Sequence, residues 1–189
     1  MKRIFSIAAL VLLISSLGFA QENQTEGKNR DKGTVTKQGY SNDTYGVNLK
    51  LPEGNWMVVE GKNALVDMNG KVAEHWNVKK DIRVVTAIEE LDTRVIFIAE
   101  RNVAALTYAF RSLKVVDDKN WFRKGPHYVY YQVMEAQNMV GERYKVQNYI
   151  IMKKENRNMK ISFFIISPLN TYYENRFYIQ EIYKNLEIK

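Results

Sequence analysis

Aromatic and basic side chains carry most of the chemistry this sequence can offer. Tyr128-Val129-Tyr130-Tyr131-Gln132-Val133 is β-rich, and side chains alternate between the faces of a strand. Tyr128 and Tyr130 therefore share one face, while Val129, Tyr131 and Val133 share the other. Both faces can be structural, since strands select aromatic residues anyway. The functional alternative is a Tyr128 and Tyr130 surface that contacts a ligand or partner, joined by Trp121 and Phe122. Lys153, Lys154, Arg157 and Lys160 gather around an expected hairpin. A cationic turn of this kind either blunts aggregation or docks an anion. The candidate binding residues are thus Tyr128, Tyr130, Trp121, Lys153, Lys154 and Arg157.

Catalytic signatures are missing by contrast. There is no Gly-x-Ser-x-Gly elbow, no phosphate-cradling Gly-x-x-x-x-Gly-Lys loop and no His-Glu-x-x-His. Asp67-x-Asn69-Gly70 resembles the opening of a calcium loop but lacks the later ligands and the closing Glu, so a hairpin turn is the better reading. Glu89, Glu90 and Asp92 would diverge on a helix and form an exposed face, and Asp117-Asp118 reads as a turn. His75 and His127 are not read as a joint metal site. With no cysteine in the chain, thiol nucleophiles, thiol redox chemistry and Cys-ligated zinc are excluded. The reading is a non-enzymatic protein with no cofactor and no metal.

The N-terminus supplies an address. Met1-Lys2-Arg3 leads into the uncharged run Ile4 to Ile14, and Gly18 and Ala20 put small residues where a signal peptidase cuts. Residues 1–20 are therefore expected to be a signal peptide, with Gln21 as the mature start. The apolar run is too short to span a bilayer comfortably, and no later run approaches ~18 residues. Position 21 is Gln rather than Cys, which argues against a lipoprotein. The expected location is a bacterial periplasm or the medium, as a soluble protein with no transmembrane anchor. The formal net charge of +7 loses two units with the leader and is diffuse. It favours an anionic surface or an envelope protein as partner and does not argue for nucleic acid.

Residues 21–43 are polar and charge-balanced, with Val35 and Tyr40 as their only substantial apolar side chains, and predict a flexible spacer. Asn23-Gln24-Thr25 and Asn42-Asp43-Thr44 match the glycosylation pattern. A single α+β domain is expected over 44–189. Alternation at Tyr45, Val47 and Leu49 predicts a strand, as does Trp56 to Val59. Strands at 64–68 and 71–76 would flank the Asn69-Gly70 turn. Ile82, Val85, Ile88 and Leu91 have helical spacing, although β-branched Val84-Val85-Thr86 leaves a strand open. Val95 to Ala99 reads as a strand covered on both sides. Asn102 then caps a helix with the stripe Val103, Leu106, Phe110 and Leu113. Three meander strands follow at 127–135, 143–152 and 159–166. Thr171 and Glu174 form a capping box for a terminal helix that buries Tyr172, Ile179, Ile182, Tyr183 and Leu186. The layout is a largely antiparallel β-sheet with packed helices.

Two stretches carry a family resemblance. Tyr45-Gly46-Val47-Asn48-Leu49-Lys50-Leu51-Pro52 followed by Trp56, and the meander, helix and closing Asn185-Leu186-Glu187-Ile188-Lys189, resemble the PsbP-like superfamily. The resemblance implies an α/β/α sandwich and a docking or assembly role rather than catalysis. The leading functional reading is an exported binding or assembly module of unknown partner. The alternative is a carrier of a small apolar ligand, with a pocket between sheet and helices lined by Tyr128, Tyr130, Phe163 and Ile165.

Overall fold

The protein's structure, a computed structural model, describes residues 31–189. The expected signal peptide, the first glycosylation pattern and most of the expected spacer lie outside the described residues. Eleven strands and two α-helices are present among those described. A seven-stranded sheet has the order β4-β5-β6-β10-β9-β8-β7, and a four-stranded sheet the order β1-β2-β3-β11. In the large sheet these are β4 (Trp56–Val58), β5 (Lys71–Asn77), β6 (Ile82–Glu90), β7 (Ser112–Lys124), β8 (His127–Gln137), β9 (Arg143–Met152) and β10 (Met159–Pro168). The small sheet comprises β1 (Thr34–Thr36), β2 (Gly39–Asn42), β3 (Val47–Lys50) and β11 (Leu186–Ile188). Every strand pair is antiparallel.

Alternation along the central strands divides the core into two layers. On one face Val85, Met134, Val146, Phe164 and Ile166 meet Leu106 and Phe110, and Tyr130 and Ile150 meet Val95, Ile98 and Ala99 of α1 (Val95–Thr107). On the other, Ile82, Val84, Val129, Ile161, Phe163 and Ile165 meet Tyr40, Val47 and Leu49 of the small sheet. Ile179 and Ile182 of α2 (Arg176–Lys184) and Leu186 complete that layer. The α+β sandwich is therefore as expected.

Several local expectations need correction. Order begins before residue 44: β1 and β2 form a hairpin inside the expected spacer, with Tyr40 and Asn42 buried. β2 is held by backbone pairing to β3 and carries β1 with it, a gain from outside the hairpin that local polarity conceals. The approach is close enough that a Cβ on Gly39 would lie 1.8 Å from the Leu49 carbonyl oxygen. Residues 64–68 form no strand; β5 pairs instead with β4, and the Asn69-Gly70 turn stands ahead of β5. The open choice at 82–91 resolves as strand β6, buried on both sides because it is central to the sheet.

Val95 to Ala99 is the first part of α1, not a strand. The apolar run alone cannot separate the two, whereas burial of Val95, Ile98, Ala99, Asn102 and Leu106 follows the helical period. Asn102 is thus an interior residue rather than a cap, and Leu113 falls in β7. Asp117-Asp118 lies in an irregular part of β7, where the register against β8 shifts. The terminal helix begins after Asn175, so Thr171 belongs to a preceding turn, its carbonyl accepting from the Asn175 N–H at 3.0 Å.

Candidate functional site

The irregular part of β7 shifts the register against β8 by two residues in all, so side chains on either side of it keep the same alternation of faces. Beyond it, Trp121 stands opposite Tyr130 and Arg123 opposite Tyr128 in β8. Tyr128 in turn pairs with Met152 of β9, and Met152 with Lys160 of β10. The start of α1 lies over this corner. Together they form a cleft of about 400 Å³ lined by Asp92 to Ile96, Trp121, Met152, Arg157, Asn158 and Lys160. Its walls come from α1, β7, β9, β10 and the turn before β10.

The cleft combines apolar surface with positive charge. Trp121 is 54 % exposed, while its ring meets buried Tyr130 edge-on at 5.1 Å. Lys160 is buried and donates to the Leu91 carbonyl at 2.6 Å. Burial holds its ammonium below the ordinary lysine range, with Asp92 opposing the shift. Arg94 and Arg157 are exposed, and neither side chain is held by an ion pair among the described residues. The N-terminus of α1 adds partial positive charge to the same corner. The lining contains one carboxylate, Asp92, and no histidine. This arrangement suits binding of an anion attached to an apolar body better than acid–base chemistry.

A polar network braces the cleft from beneath. The Tyr130 hydroxyl donates to Asp118, which also accepts from Gln132 Nε2 at 3.1 Å. Asn148 Nδ2 donates to Gln132 Oε1 at 3.2 Å, and Asn102 Nδ2 to Ser162 Oγ at 3.0 Å. Tyr130, Gln132, Asn148, Asn102 and Ser162 are all buried. They fix α1 over the sheet and hold the Tyr130 ring on which Trp121 leans.

The candidate residues from the sequence divide between the two faces. Trp121 and Arg157 share the cleft, and Tyr128 lies beside it with Arg123 4.7 Å above its ring. Tyr130 is fully buried, so the expected Tyr128 and Tyr130 surface reduces to Tyr128. Phe122 points to the opposite layer, within 6.3 Å of the Tyr131 ring. Lys153 also leaves the basic group and donates to the Tyr45 carbonyl at 3.0 Å. Lys154 is exposed on the turn, where its N–H donates to His127 Nδ1 at 3.2 Å. The proposed carrier pocket is corrected as well. Tyr130 faces α1, whereas Phe163 and Ile165 face the small sheet, so the sheet itself separates them.

Arg94, Val95, Ile96 and Met152 line the cleft without having been site candidates from the sequence. Placing a helix start at Val95 would have brought forward Arg94, but the apolar run concealed it. Other polar candidates have local roles. His75 bonds the Thr36 carbonyl at 2.8 Å, and His127 the Ile188 carbonyl at 3.2 Å. Glu89 is buried against Arg101 rather than exposed, because β6 is a strand and turns it toward α1.

The opposite layer contains a second aromatic group. Tyr149 stacks on Tyr183 at 4.3 Å and lies 4.7 Å from Tyr131. Burial pushes all three phenols above the ordinary tyrosine range. Tyr183 of α2 packs here on buried Tyr149 and partly buried Tyr131 of the sheet, and Lys124 covers the Tyr183 ring at 4.3 Å.

Neither a family model nor a curated protein sequence matches the chain. Solved structures do. Cyanobacterial PsbP (CyanoP) from Synechocystis sp. PCC 6803 aligns over 85 % of this chain and 99 % of its own, with TM-score 0.59 and 11 % identity. The fold is PsbP-like. LpqN of Mycobacterium tuberculosis, described as involved in cell envelope biogenesis, aligns over 76 % of this chain and 83 % of its own, with TM-score 0.52 and 8 % identity. At these identities the likeness concerns fold alone.

Proposed function

We propose that this protein is an exported, non-enzymatic binding or assembly module that docks an anionic partner through the cleft between α1 and β7. The observation that carries this reading is the convergence of Trp121, Ile96 and Met152 with Arg94 and Arg157 from separate elements. Apolar surface supplies the association energy, and the unpaired guanidinium groups supply sign and orientation. The cleft is backed by a packed core and a hydrogen-bonded network, so the groups that line its floor are already ordered before binding. Export rests on the N-terminal sequence, and its fold relatives include a protein described in connection with the cell envelope. No helix among the described residues is long and apolar enough to cross a membrane.

The test is retention of the exported protein on the envelope fraction of its host, at low and high salt, compared with Trp121→Ala/Arg157→Glu. Retention that weakens with salt and is lost in the variant is expected, because exposed charges are screened beyond ~8 Å at physiological ionic strength. Equal retention of both proteins removes the cleft as the docking site.

A further inference from the structure

We infer that the partner at this cleft is an anionic phospholipid surface, which Trp121 and Phe97 enter at headgroup depth while Arg94 and Arg157 hold lipid phosphates. The inference rests on the docking reading above and names the chemistry of the partner.

Large apolar groups face water at this corner. Trp121 is 54 % exposed and Phe97 55 % exposed. Phe97 stands in the first turn of α1, three residues after its N-cap Arg94, and is exposed on the helix just after the cleft residues Arg94 to Ile96. Tyr128, also partly exposed, extends the aromatic surface along β8. Indole and phenol rings with one apolar and one polar side are suited to the boundary between headgroups and acyl chains.

The cations fit the same occupant. Arg94, Arg123 and Arg157 surround the aromatics, and a guanidinium can bind a phosphate through two parallel hydrogen bonds. Arg123 already donates to the Tyr128 hydroxyl at 2.9 Å, which leaves Arg94 and Arg157 as the phosphate ligands. Behind them, Val95, Ile96 and Met152 provide an apolar floor. Asp92 in the lining belongs with Lys160, whose ammonium it favours. A bilayer surface presents phosphate and acyl chain in this fixed relation, and the net positive charge that remains once the two units of the leader are taken from +7 has the sign to match anionic lipid.

Protein recovered after export is sedimented with vesicles of phosphatidylcholine alone or with phosphatidylglycerol added. Binding to the anionic vesicles only is expected. Arg94→Gln/Arg157→Gln should lower the partition coefficient roughly thirtyfold, from the usual contribution of two cations near such a surface. Lys50→Gln/Lys184→Gln, on exposed positions of the opposite layer, should weaken binding far less. Brominated acyl chains should quench the fluorescence of wild type but not of Trp121→Phe, since Trp56 and Trp76 sit in the far part of the sheet. Absence of sedimentation with anionic vesicles, or equal loss from the two double variants, overturns the lipid assignment. Should vesicles fail while protease-treated envelopes lose an Arg157-dependent retention, the partner is an acidic protein: the lipid inference falls and the docking reading stands. Failure in both assays removes both.

Discussion

Replacing Ile182 by Ala tests how the terminal helix belongs to the fold. Ile182 is fully buried in the layer between the large sheet and the small one, together with Ile179, Phe163 and Leu186. The substitution deletes three carbons, worth about 2.4 kcal/mol at ~0.8 kcal/mol per buried methylene. A residual cavity adds to this, because neighbours drawn from β10, β11 and α2 cannot all collapse inward. A total of about 3–4 kcal/mol is expected. For a domain of this size each kcal/mol shifts the midpoint by ~2–4 °C, so the melt should fall by roughly 6–16 °C. Gln180→Ala, on the exposed side of the same helix, should stay within about 0.5 kcal/mol. Urea unfolding followed by circular dichroism gives both values, and an unchanged slope would confirm that stability alone was altered. Small and equal effects from the two substitutions would refute the argument and make α2 a peripheral element.

Three further outcomes follow from buried polar groups. Glu74 is buried and accepts from Arg83 at 2.9 Å and from the Leu65 N–H at 2.9 Å, so Glu74→Gln should cost about 3 kcal/mol in urea unfolding by leaving a cation uncompensated. His75 has its pKa lowered by burial, against the opposing effect of backbone bonds to Thr36 and Gly39 and of Glu74. The unfolded chain therefore takes up this proton first, so its stability contribution is complete above pH ~6.5 and declines as pH falls toward the folded pKa. His75→Gln should flatten the fall in urea midpoint between neutral and mildly acid pH, and an unchanged slope would exclude His75 as its source. Tyr130→Phe removes the donor to Asp118 while keeping the ring, with an expected cost of about 1–2 kcal/mol and a change in Trp121 fluorescence. An unaltered emission spectrum would show that Trp121 is positioned independently of that bond.

The meander of β8, β9 and β10, the strand at β3 and the Ile179 and Ile182 face of α2 were legible in the residues alone. Each has a complete period and clear turn residues, so local sequence and final environment agree. The sequence also determined the cysteine-free core and the aromatic and basic character of the candidate site. Tertiary structure decided the rest, wherever burial on two sides or pairing at long range overrides the local pattern. Val95 to Ala99 is helical because one side of it packs on Tyr130 and Ile150, which an unbroken apolar run cannot reveal. Thr34 to Asn42 is ordered because β3 supplies backbone partners to β2 and His75 a side-chain contact to Thr36 of β1, neither of which its own polarity announces. The cleft is likewise a tertiary product: the start of α1 brought Arg94 and Ile96 to Trp121, and alternation along β7 put Trp121 and Phe122 in opposite layers. Pairing with β8 holds that alternation: the two register shifts in β7 add up to two residues and leave the faces as they were, whereas a slip of one would have turned Trp121 away from α1.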